Sequence, residues 1–575
     1  MLLLGLVLLS AIAEVASLGA VLPFLGIITA PEQAFAHPFV SGIARALGVT
    51  AAAQLVLPLT ILFVVTVLIA GSVRMLFLWA STRLSLAAGA DLSVETYRRT
   101  LYQPYIVHVG RNSSEVISAI TKKVDGVVFG VMLQTLVLVS SVVLVVAILA
   151  ALLAIDPVVA SVAAVGFGAS YALTTVFTRR QLKRNGQLIA HGQTHLIKVL
   201  QDGLGGIRDV LLDGTQPVYS GIYQQVDYRL RRAQGNNTFI AQSPRFAMEA
   251  LGMVLIAGLA YSLSVRGGIG AALPLLGALA LGAQRLLPVL QQGYSAWASI
   301  IGNLGSLHDV LALLDQPVNQ KQLEALPAPL ELQDSIRLRD LSFRYSADGP
   351  WVLQGLDLRI GKGKRVGFVG TTGSGKSTAL DLVMGLLQPT SGELLIDGVP
   401  LDTLRTRSWQ RTIAHVPQSI YLADATLAEN IAFGVPLDQI DPVRVRQAAR
   451  QAEISDFIER SPDGYDAYVG ERGIRLSGGQ RQRIGIARAL YKQATVLVFD
   501  EATSALDNAT EQAVMETIES LGRDLTILMI AHRLSTVRKC DAIIELDHGK
   551  VVAQGTFDEL LQSSASFRRM ARDSV

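Results

Sequence analysis

Residues Gly370-Thr-Thr-Gly-Ser-Gly-Lys-Ser377 form a glycine-rich stretch that fits the pattern G-x-x-x-x-G-K-[ST]. In this pattern, backbone N–H groups surround phosphate oxygens. Residues 364–370 have a strand pattern, and residues 378–387 are apolar at helical spacing. The stretch therefore joins a strand to a helix N-terminus, where the helix dipole favours an anion. Because a chance glycine-rich turn would not require such flanks, we predict a phosphate-binding loop.

A second segment adds two carboxylates to this loop. Residues 495–501, Thr-Val-Leu-Val-Phe-Asp-Glu, have a buried-strand pattern that ends in Asp500 and Glu501. Asp500 is placed to hold Mg²⁺ through water, and Glu501 is placed to act as general base on the attacking water. Lys376 should reach the β- and γ-phosphates of ATP, while the Ser377 hydroxyl should hold Mg²⁺. We expect ATP to contact the whole loop and the residue after it: Gly370, Thr371, Thr372, Gly373, Ser374, Gly375, Lys376, Ser377 and Thr378.

The composition is too apolar for an ordinary soluble enzyme. Half of the 575 residues are hydrophobic and 17% are charged. The apolar excess is confined to residues 1 to about 305, which excludes a soluble ATPase. The net charge of +3 says little about partners, and we expect no nucleic acid. The single cysteine, Cys540, favours a reducing setting for the polar half. It falls where a surface turn leads into a strand, so we do not expect a reactive thiol.

Six segments reach the roughly 20 apolar residues that a membrane helix requires. They are residues 1–29, 55–82, 126–155, 157–178, 246–265 and 267–300. The first segment lacks the basic start and the cleavage site of a secretory signal, so we interpret it as a retained membrane helix. Asp156-Pro157 alone separates the third and fourth segments, which indicates a tight hairpin at a membrane surface.

Lysine and arginine are concentrated in two long connections, residues 83–125 and 179–245. The other connections carry little charge, so both basic loops and the polar C-terminal half are expected in the cytoplasm. Helical patterns enter and leave these loops, and we expect the membrane helices to continue past the bilayer. The tips, near Tyr102–Val109 and Gly206–Tyr219, would contact the C-terminal domain or form solvated loops.

Four charged residues lie within the apolar spans: Glu14, Arg74, Glu249 and Arg285. Each costs about 2.5–3.5 kcal/mol at the bilayer centre on insertion scales. Arg74 and Arg285 could line a water-filled cavity and attract an anionic substrate group. Alternatively, the charges could pair, for example Glu14 with Arg74 or Glu249 with Arg285, or lie deep enough in a cytoplasmic extension to be solvated. The sequence leaves these alternatives open.

The stretch Leu476-Ser-Gly-Gly-Gln480, followed by a helical pattern, forms a second glycine-rich helix N-terminus suited to an anion. With it, the chain resembles an ABC exporter half-transporter over essentially its full length. The resemblance implies an all-α membrane domain of six helices followed by an α/β P-loop ATP-binding cassette. We predict a membrane domain over residues 1–310, a proline-containing linker over 311–332 and a nucleotide-binding domain over 333–575.

The resemblance implies further nucleotide contacts. Tyr345 matches the aromatic residue that stacks on adenine, and Gln418 matches the glutamine that links Mg²⁺ to the membrane domain. His532 matches the switch histidine at the γ-phosphate, and Asp507 lies in a loop that crosses a dimer interface. Another set would contact ATP bound to a partner chain: Ser477, Gly478, Gly479 and Gln480. A homodimer with two working sites is consistent with these motifs, and a heterodimer remains open.

Three stretches of the membrane half look like bacterial flippases of lipid-linked oligosaccharides and related polysaccharide or glycolipid exporters. They are residues 10–25, 243–252 and 284–288. In those flippases, cavity arginines are thought to meet the pyrophosphate of the carrier lipid, and Arg74, Arg245 and Arg285 match such positions. Gln292 stands where the flippase pattern has another arginine. Residues 30–52 would form either a small external helix or a plain loop.

These resemblances imply an ATP-driven exporter or flippase in the bacterial cytoplasmic membrane. Its substrate would be an amphiphile with an anionic head, such as a lipid-linked oligosaccharide, and it would use ATP and Mg²⁺. The alternative within the same fold is a peptide or multidrug exporter. An alternative from a different functional class is an ATP-gated channel or a membrane-bound regulator that uses the cassette as a sensor. Such proteins often have a degenerate site or an added domain, and the sequence contains neither.

Overall fold

The structure is a computed structural model that describes residues 2–29, 56–155, 157–267, 269–318, 327–501, 508–520, 525–530 and 537–573. The chain forms two compact units. The first contains Met1–Gln103 and Arg111–Val318, and the second contains Pro104–Gly110 and Asn319–Val575. The predicted external segment at residues 30–52 lies outside the described residues.

The first unit is helical and contains both long and short helices. They are α1 (Leu2–Thr29), α2 (Val56–Leu101), α4 (Ser113–Ser118), α5 (Val124–Val127), α6 (Leu133–Ile155), α7 (Pro157–Gly205), α8 (Ile207–Leu212), α9 (Gln216–Gln242), α10 (Pro244–Gly267) and α11 (Ile269–Leu314). Helix occupies the described residues of all six predicted spans. Within the described part of the chain, three helical stretches are long and apolar enough to cross a membrane: Val56–Leu101, Ser113–Ala154 and Gln284–Leu314.

Several of these helices are much longer than a bilayer requires. Helices α2 and α11 contain 46 residues each. At about 1.5 Å per residue, each spans roughly 70 Å, whereas the hydrocarbon core is about 30 Å thick. The prediction that the helices continue past the apolar spans is therefore confirmed.

Two π-helical turns interrupt the helix between Ser113 and Ile155, at Ala119–Lys123 and Val128–Met132. They lie against α11, where the Ser299 hydroxyl donates to the carbonyl oxygen of Gly130 at 3.2 Å. A side chain at Gly130 would collide with the Asn303 amide. The close approach of α11 thus depends on glycine in the π-helical stretch, and Ser299 supplies a hydrogen bond to its backbone.

The second unit contains ten strands among its described residues. They are β1 (Ser335–Phe343), β2 (Leu353–Gly361), β3 (Arg365–Val369), β4 (Ser391–Ile396), β5 (Val399–Pro400), β6 (Ile413–Val416), β7 (Val496–Asp500), β8 (Thr526–Ile530), β9 (Ala542–Asp547) and β10 (Lys550–Gly555). One sheet has the order β2-β1-β4-β5 and is antiparallel. The other has the order β10-β9-β3-β8-β7-β6, and only its β9–β10 pair is antiparallel.

Short helices surround the two sheets. They are α3 (Tyr105–Val109), α12 (Lys376–Val383), α13 (Thr403–Thr412), α14 (Leu427–Ile431), α15 (Pro442–Gln451), α16 (Ser455–Glu459), α17 (Gly478–Tyr491), α18 (Asn508–Ser520), α19 (Phe557–Ser563) and α20 (Ala565–Asp573). Strands β3, β7 and β8 are almost entirely buried, as their continuous apolar sequences require in a covered parallel sheet. Trp409 of α13 is fully buried, and its indole N–H donates to the Val383 carbonyl at 2.7 Å.

The first predicted loop tip belongs to the second unit. Its helix α3 places Ile106 against the buried cluster that includes Leu338 and Phe368. Partial burial raises the pKa of the Tyr105 hydroxyl, and the neighbouring Asp381 raises it further. The predicted contact of this tip is therefore confirmed. The second tip, α8, groups with the first unit.

As predicted, an exposed turn at Arg538 and Lys539 leads through Cys540 into β9, but the Cys540 side chain is buried, with its sulfur 3.7 Å from the Met529 sulfur. Burial raises the pKa of this thiol to about 12.

At pH 8, roughly one molecule in ten thousand should carry the reactive Cys540 thiolate. We expect iodoacetamide to leave the native protein unlabelled and to label one cysteine after denaturation in guanidinium chloride. Mass spectrometry measures both states, and native labelling as fast as that of glutathione would contradict the burial argument.

Candidate functional site

The glycine-rich loop follows β3 and extends into the first turn of α12. Gly370 has a φ of 143°, and a side chain there would collide with the Leu546 carbonyl. Gly375 precedes the helix with a φ of 99° and would bring a Cβ to 2.6 Å from the Leu353 side chain. Only glycine fits both positions without strain. The backbone N–H groups at the start of α12 therefore face a loop whose path is fixed by glycine.

Lys376 is the first residue of α12 and is only 8% exposed. Its ammonium donates to the carbonyl oxygens of Gly370 and Thr371, both at 2.9 Å. Burial lowers the pKa of Lys376, and the nearby Glu501 and Asp500 partly offset this effect. The loop thus encloses a cation that has given up most of its hydration.

Ser374 lies in the same loop and is 2% exposed. Its hydroxyl oxygen has no hydrogen-bond partner among the residues that the structure describes. A buried polar atom without a partner is uncommon and requires an explanation. The unpaired hydroxyl, the buried ammonium and the helix N-terminus together fit a phosphate chain.

Two carboxylates from the end of β7 lie beside this loop. The Ser377 hydroxyl is 3.5 Å from Asp500 Oδ1, and the Gln418 side-chain amide donates to Glu501 Oε2 at 2.5 Å. Asp500 is the last residue of β7, while Glu501 follows it with a φ of 50°. This left-handed conformation is uncommon for a residue with a side chain and often marks a functional site.

The oxygen atoms at this edge suit Mg²⁺, which takes one or two carboxylates together with substrate phosphates. The Ser377 hydroxyl, the Asp500 carboxylate and the Gln418 amide oxygen are the candidate ligands. They come from segments far apart in sequence, and the parallel sheet brings them together. Strand β8 lies between β3 and β7, so the loop after β3 and the end of β7 share one sheet edge.

Asp381 is a further residue near the site, and the sequence interpretation did not single it out. It lies on α12, where burial, followed by the charge of Asp500, raises the pKa of its carboxyl to about 6. Its signal in the sequence is an acid within the apolar run that follows the phosphate loop. The structure therefore places a third carboxyl on the phosphate-loop helix, within electrostatic reach of Asp500.

Tyr345 lies two residues beyond the end of β1. Its side chain is 44% exposed, and its hydroxyl is 3.3 Å from that of Thr378. The Tyr345 ring contacts the Phe343 ring edge-on, with centroids 5.0 Å apart. An aromatic ring beside α12 thus remains open on one side for stacking.

The stretch Leu476-Ser-Gly-Gly-Gln480 forms the start of α17. Ser477 and Gln480 form a capping box: the Ser477 hydroxyl accepts from the Gln480 N–H, and the Gln480 side chain accepts from the Ser477 N–H. Gly478 and Gly479 occupy the first turn. The remaining predicted nucleotide residues, Asp507 and His532, lie outside the described residues.

In the first unit, the charged residues of the apolar helices form pairs. Arg285 of α11 donates a hydrogen bond to Glu14 Oε1, and Arg74 of α2 lies 3.3 Å from Glu14 Oε2. Glu249 pairs with Arg245 at 2.8 Å, so the suggested pair of Glu249 with Arg285 is wrong. The predicted pair of Glu14 with Arg74 is confirmed. The sequence interpretation missed Glu14 as the partner of Arg285.

Comparisons with known proteins agree with this architecture. The ABC transporter family profile matches residues 353–504. The ATP-dependent lipid A-core flippases of Ralstonia nicotianae and Chromohalobacter salexigens are 33% and 32% identical, over 68% and 69% of this chain and 66% and 68% of those proteins. The Beta-(1-->2)glucan export ATP-binding/permease protein NdvA of Rhizobium meliloti is 33% identical, over 86% of this chain and 84% of that protein.

A solved structure of a bacterial Atm1-family ABC exporter with ATP bound is also similar. Its TM-score is 0.79 at 25% identity, and the match covers 98% of this chain and 97% of that one. The chain belongs to the ABC transporter family. It is an ATP-hydrolysing, multi-pass membrane protein of the exporter fold, with a helical membrane domain followed by an α/β ATP-binding domain. The alignments span about two thirds of the length of the two flippases.

Proposed function

We propose that this protein exports or flips an amphiphile with an anionic head across the bacterial cytoplasmic membrane, and that the substrate is a lipid-linked oligosaccharide or a related glycolipid. The observation that carries the proposal is the pair of partly exposed arginines, Arg74 and Arg285, within apolar helices. Arginine is well suited to phosphate groups because its guanidinium offers two parallel N–H donors. The flippases and the glucan exporter among the relatives support this substrate class.

We propose that the nucleotide unit lies in the cytoplasm, because the two basic connections and this unit belong on the same side of the membrane. The loop Gly370–Ser377 would hold the phosphates of ATP through its N–H groups and Lys376. Tyr345 would stack on adenine. Thr378 follows this loop in the first turn of α12 and supports the Tyr345 hydroxyl.

Mg²⁺ would be held by Ser377, Asp500 and Gln418, and when bound it neutralises phosphate charge. Glu501 would accept the proton of the attacking water, with its carboxylate held in position by the Gln418 amide. His532 would contact the γ-phosphate. The roles of Gln418 and Glu501 are supported by their hydrogen bond at 2.5 Å, and those of Ser377 and Asp500 by the 3.5 Å between the Ser377 hydroxyl and Asp500 Oδ1.

We propose that two copies of the chain assemble, with each ATP bound between them. Ser477 and Gly479 of the second copy would meet the γ-phosphate, at the helix N-terminus shaped by Gly478 and Gln480. Asp507 would lie in the interface. Since one chain carries every motif that both sites require, a homodimer suffices. Crosslinking and mass measurement of the purified protein with ATP distinguish a homodimer from a heterodimer.

Arg285→Ala should lower the ATP-dependent transport of an anionic lipid-linked saccharide at least about ten-fold, because it removes a charge-assisted contact to the headgroup. The assay uses proteoliposomes and a panel of polyprenyl- and diacyl-linked saccharides, with ATPase stimulation as a second readout. Arg231→Ala is the matched control, since Arg231 is 73% exposed and pairs with Asp227 on its own helix.

Loss of transport in both arginine variants would indicate a general effect on the protein. Full transport by Arg285→Ala, or equal transport of a neutral apolar drug, would contradict the anionic substrate. A neutral apolar compound does not require the Arg285 charge, so that result would favour a multidrug exporter.

A further inference from the structure

Helix α1 is predominantly apolar, and Glu14 is the only charged residue among residues 2–29. The Glu14 side chain is 2% exposed. A buried carboxylate is unfavourable unless cations or hydrogen bonds compensate it. The compensation comes from two other helices, because Arg74 belongs to α2 and Arg285 to α11.

The three charges are accessible to different degrees. The Arg74 side chain is 50% exposed and that of Arg285 is 31% exposed, whereas Glu14 lies beneath them. The formal charge of the cluster is +1, since two cations share one anion. Each guanidinium has five N–H donors, and one carboxylate cannot engage all of them. The arginines therefore retain donors that can bind a second anion.

The carboxylate is not fully satisfied. Its Oε2 atom makes an ion pair with Arg74 but no hydrogen bond to any residue within the described ranges. Ser17, three residues along α1 and so on the same face, is fully buried, and its hydroxyl likewise makes no hydrogen bond to the described part of the chain. A carboxylate with one incompletely bonded oxygen can be replaced by a better acceptor.

We propose that Glu14 is an internal counter-ion that holds Arg74 and Arg285 until an anionic headgroup competes for them. This inference rests on the proposed function, and it adds a residue that sets the affinity for the substrate. The headgroup takes over guanidinium N–H donors from Glu14, and no covalent bond changes. Glu14 thus lowers the affinity for anions while it keeps the two arginines close together.

The inference predicts that removing the Glu14 charge tightens anion binding. The probe is dihexadecyl phosphate, with uncharged dihexadecylglycerol as comparator, titrated against the full-length protein in detergent and followed by native mass spectrometry. Glu14→Gln should lower the apparent Kd for the phosphate about ten-fold and leave that for the neutral lipid unchanged. Arg285→Gln should raise the apparent Kd for the phosphate by a similar factor.

Glu95→Gln is a matched control because Glu95 also pairs with two arginines, Arg98 and Arg99. It lies near the cytoplasmic end of α2, and its side chain is 30% exposed. Glu95→Gln should bind dihexadecyl phosphate as the wild type does. If Glu95→Gln binds dihexadecyl phosphate as tightly as Glu14→Gln does, the tighter binding follows from the overall charge of the protein. That result would overturn the inference.

Two outcomes separate this inference from the proposed function. If Arg285→Gln weakens phosphate binding but Glu14→Gln does not tighten it, the arginine site stands and Glu14 is only structural. If neither variant changes phosphate binding, the anionic site itself is wrong.

Should Glu14→Gln fail to accumulate, Arg74→Gln is compared with the double variant Glu14→Gln/Arg74→Gln. The double variant has the same formal charge on the cluster as the wild type. The double variant should bind more tightly, and equal binding would overturn the inference.

Discussion

Glu501→Gln should lower the rate of ATP hydrolysis at least about hundred-fold while ATP affinity stays within about two-fold of the wild type. A positioned general base contributes roughly 10²- to 10⁴-fold to such a reaction, and an amide cannot accept the proton of water. The amide keeps the shape of the carboxylate and can still accept the hydrogen bond from Gln418. Phosphate release from the full-length protein in nanodiscs measures turnover, and a fluorescent ATP analogue measures binding.

The control is Glu393→Gln, an exposed residue of β4 that pairs with Arg339 on the antiparallel sheet. It should hydrolyse ATP at the wild-type rate. In Glu501→Gln, ATP should still drive closure of the two nucleotide domains, and crosslinking with ATP present tests this. Hydrolysis at a near wild-type rate would show that another group accepts the proton, whereas loss of binding would indicate damage to the loop.

The sequence predicts the phosphate loop well because its geometry is local. Gly370 and Gly375 have positive φ values in the loop itself, and the strand and helix on either side have clear periodicities. The link from Ser377 to Asp500 is also predictable, because carboxyl ends of parallel strands in one sheet lie along one edge. The left-handed conformation of Glu501 is not predictable from the sequence. It depends on a contact with another strand, in which the Glu501 N–H donates to the Ile530 carbonyl at 3.2 Å.

The ion-pair partners of the charged residues in the apolar helices illustrate a different limit of prediction from sequence. Arg285 and Glu14 are 271 residues apart, and the sequence offers Glu249 as an equally good acid. Helical spacing instead lets Glu249 reach Arg245, four residues before it. Which acid meets Arg285 follows from the packing of α1 against α11, and no local pattern encodes that packing. Cys540 shows the same limit, because Arg538 and Lys539 before it are exposed in the turn whereas its own side chain packs against Met529 of β8.

Lys376→Met should weaken ATP binding about ten- to hundred-fold and leave the melting temperature of the full-length protein no lower than that of the wild type. The ammonium would supply charge-assisted hydrogen bonds to phosphate oxygens, and each contributes about 1.5–3 kcal/mol. Its burial lowers the pKa of Lys376, which means that the folded protein disfavours the charge. Methionine matches the length of the lysine stem and removes this cost. Equilibrium binding of a fluorescent ATP analogue and thermal unfolding without nucleotide measure the two effects.

Lys362→Met is the matched control, because Lys362 is an exposed lysine in the turn between β2 and β3. It should change neither ATP affinity nor the melting temperature. A drop in the melting temperature of Lys376→Met would mean that the bonds to the Gly370 and Thr371 carbonyls outweigh the cost of burying the charge. Unchanged ATP affinity would make Lys376 a structural residue of the loop. If Lys376→Met loses ATP affinity and keeps its melting temperature, Lys376 serves ATP binding and not the stability of the loop. The protein then tolerates a buried, poorly solvated cation because ATP supplies its anionic partner.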